Sequence, residues 1–235
     1  MSIVPKTSNI SVIIPTLNEA DNLGATLEPI QNIIGIEIIV ADGGSSDATI
    51  SIAEAAGARV ITSRPGRSYQ QNSGAAAATG EILLFLHADT LLPARFVQLI
   101  RTCLKQDTVA AGAFSLSINM AGVAIKFIET MANCRAKLLQ LPYGDQALFM
   151  TRENFSKTGG FPEIEIMEDF VLVSRLRKIG RIETLPETVR TSGRRWQKLG
   201  VFRTTLINQA IIIGYLLGRS PTSLANWYRI SSKAR

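Results

Sequence analysis

Cysteine is nearly missing: Cys103 and Cys134 are the only two in 235 residues, and they stand in no metal-ligand spacing. A disulfide framework is thereby excluded, and a reducing compartment is expected. Aromatic residues are scarce at 6% and scattered, whereas a nucleic-acid surface interleaves stacking rings with basic residues. No apolar run approaches the ~20 residues of a membrane-spanning helix, the longest being Ala210 to Gly218. Met1 to Lys6 lead into no apolar h-region of the secretory kind. The expected location is therefore the cytoplasm, with the inner face of a membrane as a second place. Low-complexity tracts and internal repeats are absent as well.

What is there is core and positive charge. With 46% hydrophobic and 19% charged residues, the chain can bury the core of one large domain or two small ones, which excludes a disordered or fibrous protein. A formal charge of +6 calls for an anionic partner: a phosphate-rich small molecule, a nucleic acid or an acidic membrane face. From Asn9 onward short β-branched runs alternate with helix-like segments, the pattern of βαβ units on a largely parallel sheet. Strands are expected at 10–14, 36–41, 59–62 and 82–86, with helices at 19–33, 47–56 and 69–79 between them. Beyond Pro93 the pattern predicts helices at 94–105, 123–138 and 168–179 and strands at 109–117 and 146–151. Residues 1–195 read as one domain, followed by a helical extension over 196–235.

Ligands of parallel sheets gather at the carboxyl ends of strands, and three polar clusters follow strand ends here. Strand one closes in Pro15-Thr16-Leu17-Asn18-Glu19, strand two in Asp42-Gly43-Gly44-Ser45-Ser46-Asp47, strand four in His87-Ala88-Asp89-Thr90. Asp42 could accept hydrogen bonds from a base or ribose, and Gly43 permits close approach of a ligand; the plainer reading is a turn, with Asp47 capping the next helix. Asp89 at the mouth of the most apolar strand suits a hard divalent ion bridging phosphates. The competing readings are a cap for Asp89 and a partly buried core residue for His87. Arg64-Pro65-Gly66-Arg67, ahead of Asn72 and Gly74, fits anion recognition or a solvated basic loop. Gly144-Asp145-Gln146 and Glu168-Asp169 supply carboxylates for a general base, Asp169 being equally suited to capping. Arg194-Arg195-Trp196 offers charge and an aromatic face to a sugar or pyrophosphate, or ordinary surface packing.

Taken together, Ser11-Val12-Ile13-Ile14-Pro15-Thr16-Leu17-Asn18-Glu19, Asp42 to Asp47, His87-Ala88-Asp89 and Glu168-Asp169 appear in the order typical of family 2 inverting glycosyltransferases, and over residues 9–195 the chain resembles that family. More narrowly, Arg64 to Arg67, Phe85 to Thr90 and Gly144 to Gln146 look like its small bacterial subgroup named for arsenosugar biosynthesis clusters. The resemblance implies a GT-A fold: a Rossmann-like, mostly parallel α/β sheet flanked by helices. It implies transfer of a sugar from a nucleotide-diphosphate donor, UDP-linked, to an acceptor hydroxyl, assisted by Mn²⁺ or Mg²⁺. Asp169, with Glu168 beside it, would be the catalytic base. Pro15, Thr16, Glu19, Asp42, Gly43, Arg67, Asn72, Ala88, Asp145, Arg195 and Trp196 would bind the nucleotide sugar. Asp89 would be the last carboxylate of the metal-binding DxD, whose first Asp is His87 here, a change that favours a borderline ion such as Mn²⁺.

Two other functions compete. A nucleotidyltransferase shares the sheet and the diphosphate chemistry but needs a Gly-rich basic loop after strand one, where Pro15 to Glu19 stand instead. A non-catalytic binder of nucleotides or anionic surfaces would account for the charge alone. The C-terminal run Leu199 to Gly218, with Arg219, Arg229, Lys233 and Arg235 after it, reads as an interfacial helix or as one packed on the domain or a second subunit. Homodimerisation and peripheral membrane contact both stay open, and nucleic acid is not an expected partner.

Overall fold

The computed structural model describes residues 9–231; Met1 to Lys6, Lys233 and Arg235, which entered the reading above, lie outside them. Four parallel strands open the chain: β1 (Ile10–Thr16), β2 (Ile36–Asp42), β3 (Arg59–Thr62) and β4 (Ile82–Phe85). Helices α1 (Ala20–Leu27), α2 (Thr49–Ala55) and α3 (Arg67–Ala77) make the crossovers. The apolar run of β1, interrupted only by Ser11 before Pro15, is the signature of a strand covered on both faces, and Ile10, Val12, Ile13 and Ile14 are all fully buried. Helix α3 lies close on β1 because Gly74 has no side chain: a Cβ there would stand 2.3 Å from Ile13 Cγ2.

The second half adds β5 (Thr90–Leu91), α4 (Phe96–Leu104), β6 (Val109–Asn119), α5 (Val123–Leu139), β7 (Phe149–Thr151), α6 (Arg152–Thr158), α7 (Glu168–Leu176) and β8 (Arg181–Ser192). Three further helices follow: α8 (Arg194–Leu199), α9 (Val201–Leu216) and α10 (Pro221–Ser231). The sheet runs β3-β2-β1-β4-β7-β6-β8-β5. Strand β7 is antiparallel to both neighbours, β6 and β8 are parallel, and β5 is antiparallel to β8. The fold class is thus the expected mixed α/β sheet with helices on its faces.

Several expectations shift. Residues 146–151 are not one strand: a 3₁₀ turn at Gly144–Gln146 precedes β7. Its cause is the fully buried Gln146 amide, which accepts from Tyr143 N and donates to the Phe114 carbonyl. The first helix ends at Leu27 rather than 33, and α7 at Leu176 rather than 179. The longest strand, β8, was not foreseen, because Pro186 and a bulge opposite Phe114/Ser115 interrupt its alternation.

Candidate functional site

The loops after β1 and β2 are stitched to each other. Asn18 N donates to Ser45 Oγ at 2.8 Å, Ser46 N to Asn18 Oδ1 at 2.9 Å, and Glu19 N to Thr49 Oγ1 at 2.8 Å. Asn18 takes the left-handed conformation, φ 54°, to make this turn, one of the few side chains that tolerates it. Asp47 is not the N-cap of α2, a position that Ala48 holds, but it ties two helix starts together. One of its oxygens accepts from Thr49 at the start of α2 and the other from Ala20 N at the start of α1.

Asp42 sits at the centre of the platform, buried, and its oxygens accept from Thr16 Oγ1, Ser45 Oγ, Gly44 N and Ser45 N. Burial raises its pKa, but these bonds to the charged form outweigh it and hold the carboxyl below the ordinary range. Neither Asp42 nor Gly43 lines the cleft described next; the Asp42 oxygens are engaged by Thr16, Gly44 and Ser45 within the chain. The side-chain amide of Asn72 is likewise spent within the chain, donating to the Phe161 carbonyl at 2.8 Å and accepting from Phe161 N at 3.0 Å. It too lies outside the cleft wall.

All the other expected site residues share one cleft of about 540 Å³: Pro15, Thr16, Glu19, Arg67, His87, Ala88, Asp89, Asp145, Glu168, Asp169, Arg195 and Trp196. Sequence positions 15 and 196 meet there because β1 and β4 are neighbours in the sheet and β8 returns the chain to their carboxyl ends. Asp169, at the first turn of α7, accepts from Gly144 N at 2.8 Å through Oδ2 and from Phe170 N through Oδ1. Gly144 packs closely here: a Cβ would stand 3.3 Å from His87 Nε2 and 3.4 Å from Asp169 Oδ2. The base expected at Asp169 and the imidazole expected at the ion therefore flank the same glycine.

Charge is arranged in layers around this point. Arg194 donates to both carboxylate oxygens of Glu19, at 2.7 and 2.6 Å, and its Nε lies 3.3 Å from Asp89 Oδ2. Arg67 Nη1 reaches the buried Glu168 at 3.4 Å. Burial, together with the nearby Arg67 and Arg194, lowers His87 to about 3, which leaves a neutral imidazole at physiological pH. Burial raises Asp145 to about 6, helped by Asp169 and opposed by Arg135 and Arg67, and burial also raises Asp89 and Glu168.

Four buried polar atoms without a partner, His87 Nε2, Asp145 Oδ1, Arg195 Nη2 and Trp196 Nε1, belong to residues of this cleft. Folded proteins leave few such atoms unsatisfied, and their gathering in one concavity marks it as built for a polar ligand. No group of three or more His, Cys, Asp or Glu that could hold a metal occurs among the described residues. The two donors named for an ion, Asp89 and His87, would need the remainder of a coordination shell from the ligand itself.

Four kinds of contributor stand outside the site residues expected from the sequence. Gln70 is buried and donates to the Thr16 and Ala41 carbonyls at 2.6 and 2.9 Å, fixing two strand ends at once. Gly144 orients Asp169 through its backbone. Arg194 ties Glu19 to Asp89. Asn208, Ile211 and Ile212 of α9 and Tyr228 of α10 close the far wall, with Arg195 stacked 4.5 Å over the Tyr228 ring. Arg194 and Gly144 carried a usable signal, in Arg194-Arg195-Trp196 and Gly144-Asp145-Gln146; the others act through backbone carbonyls or from helices distant in sequence.

Comparison with known proteins agrees with this geometry. Residues 11–158 match the model of "Glycosyl transferase family 2". A "Glucosyl-3-phosphoglycerate synthase" of Mycolicibacterium smegmatis is 35% identical over 96 residues, 36% of this chain and 32% of the relative. A "PGL/p-HBAD biosynthesis glycosyltransferase" of Mycobacterium bovis is 43% identical over 91 residues, 35% of this chain and 36% of the relative. The chain thus spans about a third of the length of the curated relatives it matches.

Two solved structures share the fold. One is the mannosyltransferase PcManGT from Pyrobaculum calidifontis in complex with GDP-Man and Mn²⁺, at TM-score 0.66 and 19% identity, covering 96% of this chain and 69% of that one. The other is glucosyl-3-phosphoglycerate synthase from Mycobacterium tuberculosis in complex with Mn²⁺, UDP and glucosyl-3-phosphoglycerate, at TM-score 0.63 and 23% identity, covering 86% and 79%. With the family model matched over well more than half its residues, the chain belongs to glycosyl transferase family 2.

Proposed function

We propose that this chain catalyses an inverting transfer of a sugar from a nucleotide-diphosphate donor, UDP-linked, to an acceptor hydroxyl, with a divalent metal assisting. The observation that carries the reading is the convergence of Asp169, Asp89, His87 and Arg67 on one cleft that also holds four partnerless polar atoms. In a single displacement the acceptor oxygen forms a bond to the anomeric carbon as the bond to the diphosphate breaks, and the configuration inverts. Asp169 accepts the acceptor's proton on its carboxylate, which Gly144 N and Phe170 N hold in a fixed orientation. Base catalysis of this kind supplies about 10²–10⁴-fold.

Arg67 and Arg194 bring two guanidinium groups to the departing diphosphate, whose charge-assisted hydrogen bonds are the strong ones. Glu168, buried beside Arg67, positions that guanidinium. Thr16, Pro15 and Ala88 form the floor, and Ala88 is pinned by Thr26 donating to its carbonyl at 2.8 Å. Asp42 and Gly43 act from behind, by holding the Thr16–Ser45 platform on which a nucleoside would rest.

The residues fit a divalent ion. His87 Nε2 is buried without a partner on a neutral imidazole, and Asp89 adds a carboxylate, a nitrogen-and-oxygen donor pair that Mn²⁺ accepts. When bound, the ion would neutralise charge growing on the leaving diphosphate. The narrower likeness to the arsenosugar subgroup rests on its three motifs alone, while the relatives found concern glucosyl-3-phosphoglycerate and PGL/p-HBAD; the acceptor is therefore left unassigned.

A thermal-shift panel of UDP-, GDP- and dTDP-sugars with and without Mn²⁺ tests this reading. A ligand present at about 100 times its Kd stabilises by about 2.7 kcal/mol, a rise of roughly 5–10 °C for a chain of this size. The largest rise is expected for a UDP-sugar with Mn²⁺. No rise with any donor would overturn the proposal.

A further inference from the structure

We propose that the outer faces of α9 and α10 form a docking surface for an anionic lipid bilayer. The positive charge of this protein is confined to one end. No Asp or Glu follows Glu187, and nine Lys and Arg lie between Arg190 and Arg235, whereas the preceding 187 residues carry 16 Lys and Arg against 19 Asp and Glu. Arg194 and Arg195 serve the cleft, which leaves Lys198, Arg203, Arg219 and Arg229 among the described residues of the helical end.

The same end exposes apolar side chains on one line. At about 100° per residue, Phe202, Leu206, Ile213, Leu216 and Leu217 fall within about a quarter to a third of the circumference of α9, and all five are exposed, Phe202 at 81% and Leu217 at 77%. The opposite face, Thr204, Ile207, Ile211 and Gly214, is buried. Helix α9 is therefore apolar on two sides, one spent on the cleft wall and core, the other uncovered. Helix α10 packs against it, Leu224 over Gly214, and Arg203 donates to the Ser231 carbonyl at 3.0 Å. That bond brings the Phe202 end of α9 beside the Ile230 end of α10, where Trp227 and Ile230 are also exposed.

An aliphatic stripe with Phe and Trp, on helices that carry basic residues and no acidic ones of their own, with Glu165 reaching Thr222 at the start of α10, is what an interfacial helix presents to lipid headgroups and the acyl boundary beneath them. A second copy of the chain would bring the same positive charge to the contact and meet repulsion. Nucleic acid would find few rings on which to stack its bases. No described helix is long and apolar enough to cross a membrane, so contact would be along the surface.

Flotation of the full chain with vesicles tests the proposal, using phosphatidylcholine alone and phosphatidylcholine mixed two to one with phosphatidylglycerol. The expected result is binding to the mixed vesicles only, released at about 1 M salt, where charges are screened within about 3 Å. The paired substitutions Leu206→Glu with Leu217→Glu, and Arg219→Gln with Arg229→Gln, should each lower partitioning on the order of tenfold or more. Neither pair should move the melting midpoint or the donor-induced shift, readouts that stand or fall with the proposed transfer independently of lipid. Absence of wild-type binding to the mixed vesicles, or undiminished binding by both pairs, would overturn the assignment. So would a dimer in sedimentation that Leu206→Glu with Leu217→Glu splits, because the face would then belong to a second copy.

Discussion

The two halves of the sheet treat their polar groups in opposite ways. Around β1, β2 and β3 the loop polar groups find partners within the chain: Asp42 accepts four hydrogen bonds, Asp47 ties two helix starts together, and Asn18 bridges the loops. Around β4, β7 and β8 the opposite holds. His87, Asp145, Arg195 and Trp196 each leave a buried atom without a partner, and burial pushes Asp145, Asp89 and Glu168 toward the protonated form. A satisfied network fixes a shape, while an unsatisfied one costs stability unless something binds to it. On the proposed function, the difference would separate the platform on which a nucleotide rests from the wall where charge is met during reaction.

The sharpest break of this contrast is Asp89→Asn. Removing a direct donor should weaken Mn²⁺-dependent donor binding by at least the roughly 10–100-fold that a supporting group is worth, seen as loss of the Mn²⁺-dependent rise in melting midpoint. On the satisfied side, Gly74→Val should cost about 1–3 kcal/mol by overpacking against Ile13, lowering the midpoint by several degrees with little change in the donor's Kd once folded. Asp42→Asn should cost about 1–2 kcal/mol, because the amide cannot accept all four bonds, and chemical denaturation would register it.

A subtler contrast comes from pH. The folded pKa of Asp145, about 6, lies above its unfolded value, so its favourable share of stability is complete below about pH 4 and disappears as pH rises through 6. Asp145→Asn should flatten the fall of the midpoint between about pH 4 and 6. Smallest of all, Arg64→Gln breaks an ion pair whose side chains are 60% and 65% exposed and should shift stability by less than about 1 kcal/mol.

The parallel half was legible because its strands are short apolar runs closed by turn residues, and its chemistry sits at the strand ends where the pattern says to look. Asp89 and His87 were reached this way, Asp169 from the start of a helix, and the three do share a cleft. Asp42 and Asn72 stand apart from the cleft wall for a physical reason: a carboxylate or amide at a strand end or on a helix serves a ligand and a neighbouring loop equally well, and spacing does not say which claims it. The second half was harder to read. Pro186 and a bulge disguise β8, Gln146 turns an expected strand into a 3₁₀ turn, and Asn208 and Tyr228 reach the cleft only through the packing of α9 and α10. The positive charge was visible in composition, but its confinement beyond Glu187 acquires meaning only beside the exposed stripe of α9.

The most direct test pairs two readings on Asp169→Asn: calorimetric binding of a UDP-sugar with Mn²⁺, and turnover with an acceptor that the wild-type protein uses. The expected outcome is a donor Kd close to that of the wild type with transfer reduced about 10²–10⁴-fold. Transfer at the wild-type rate would remove Asp169 from the chemistry and, with it, the reason for reading this cleft as the place where the sugar changes hands.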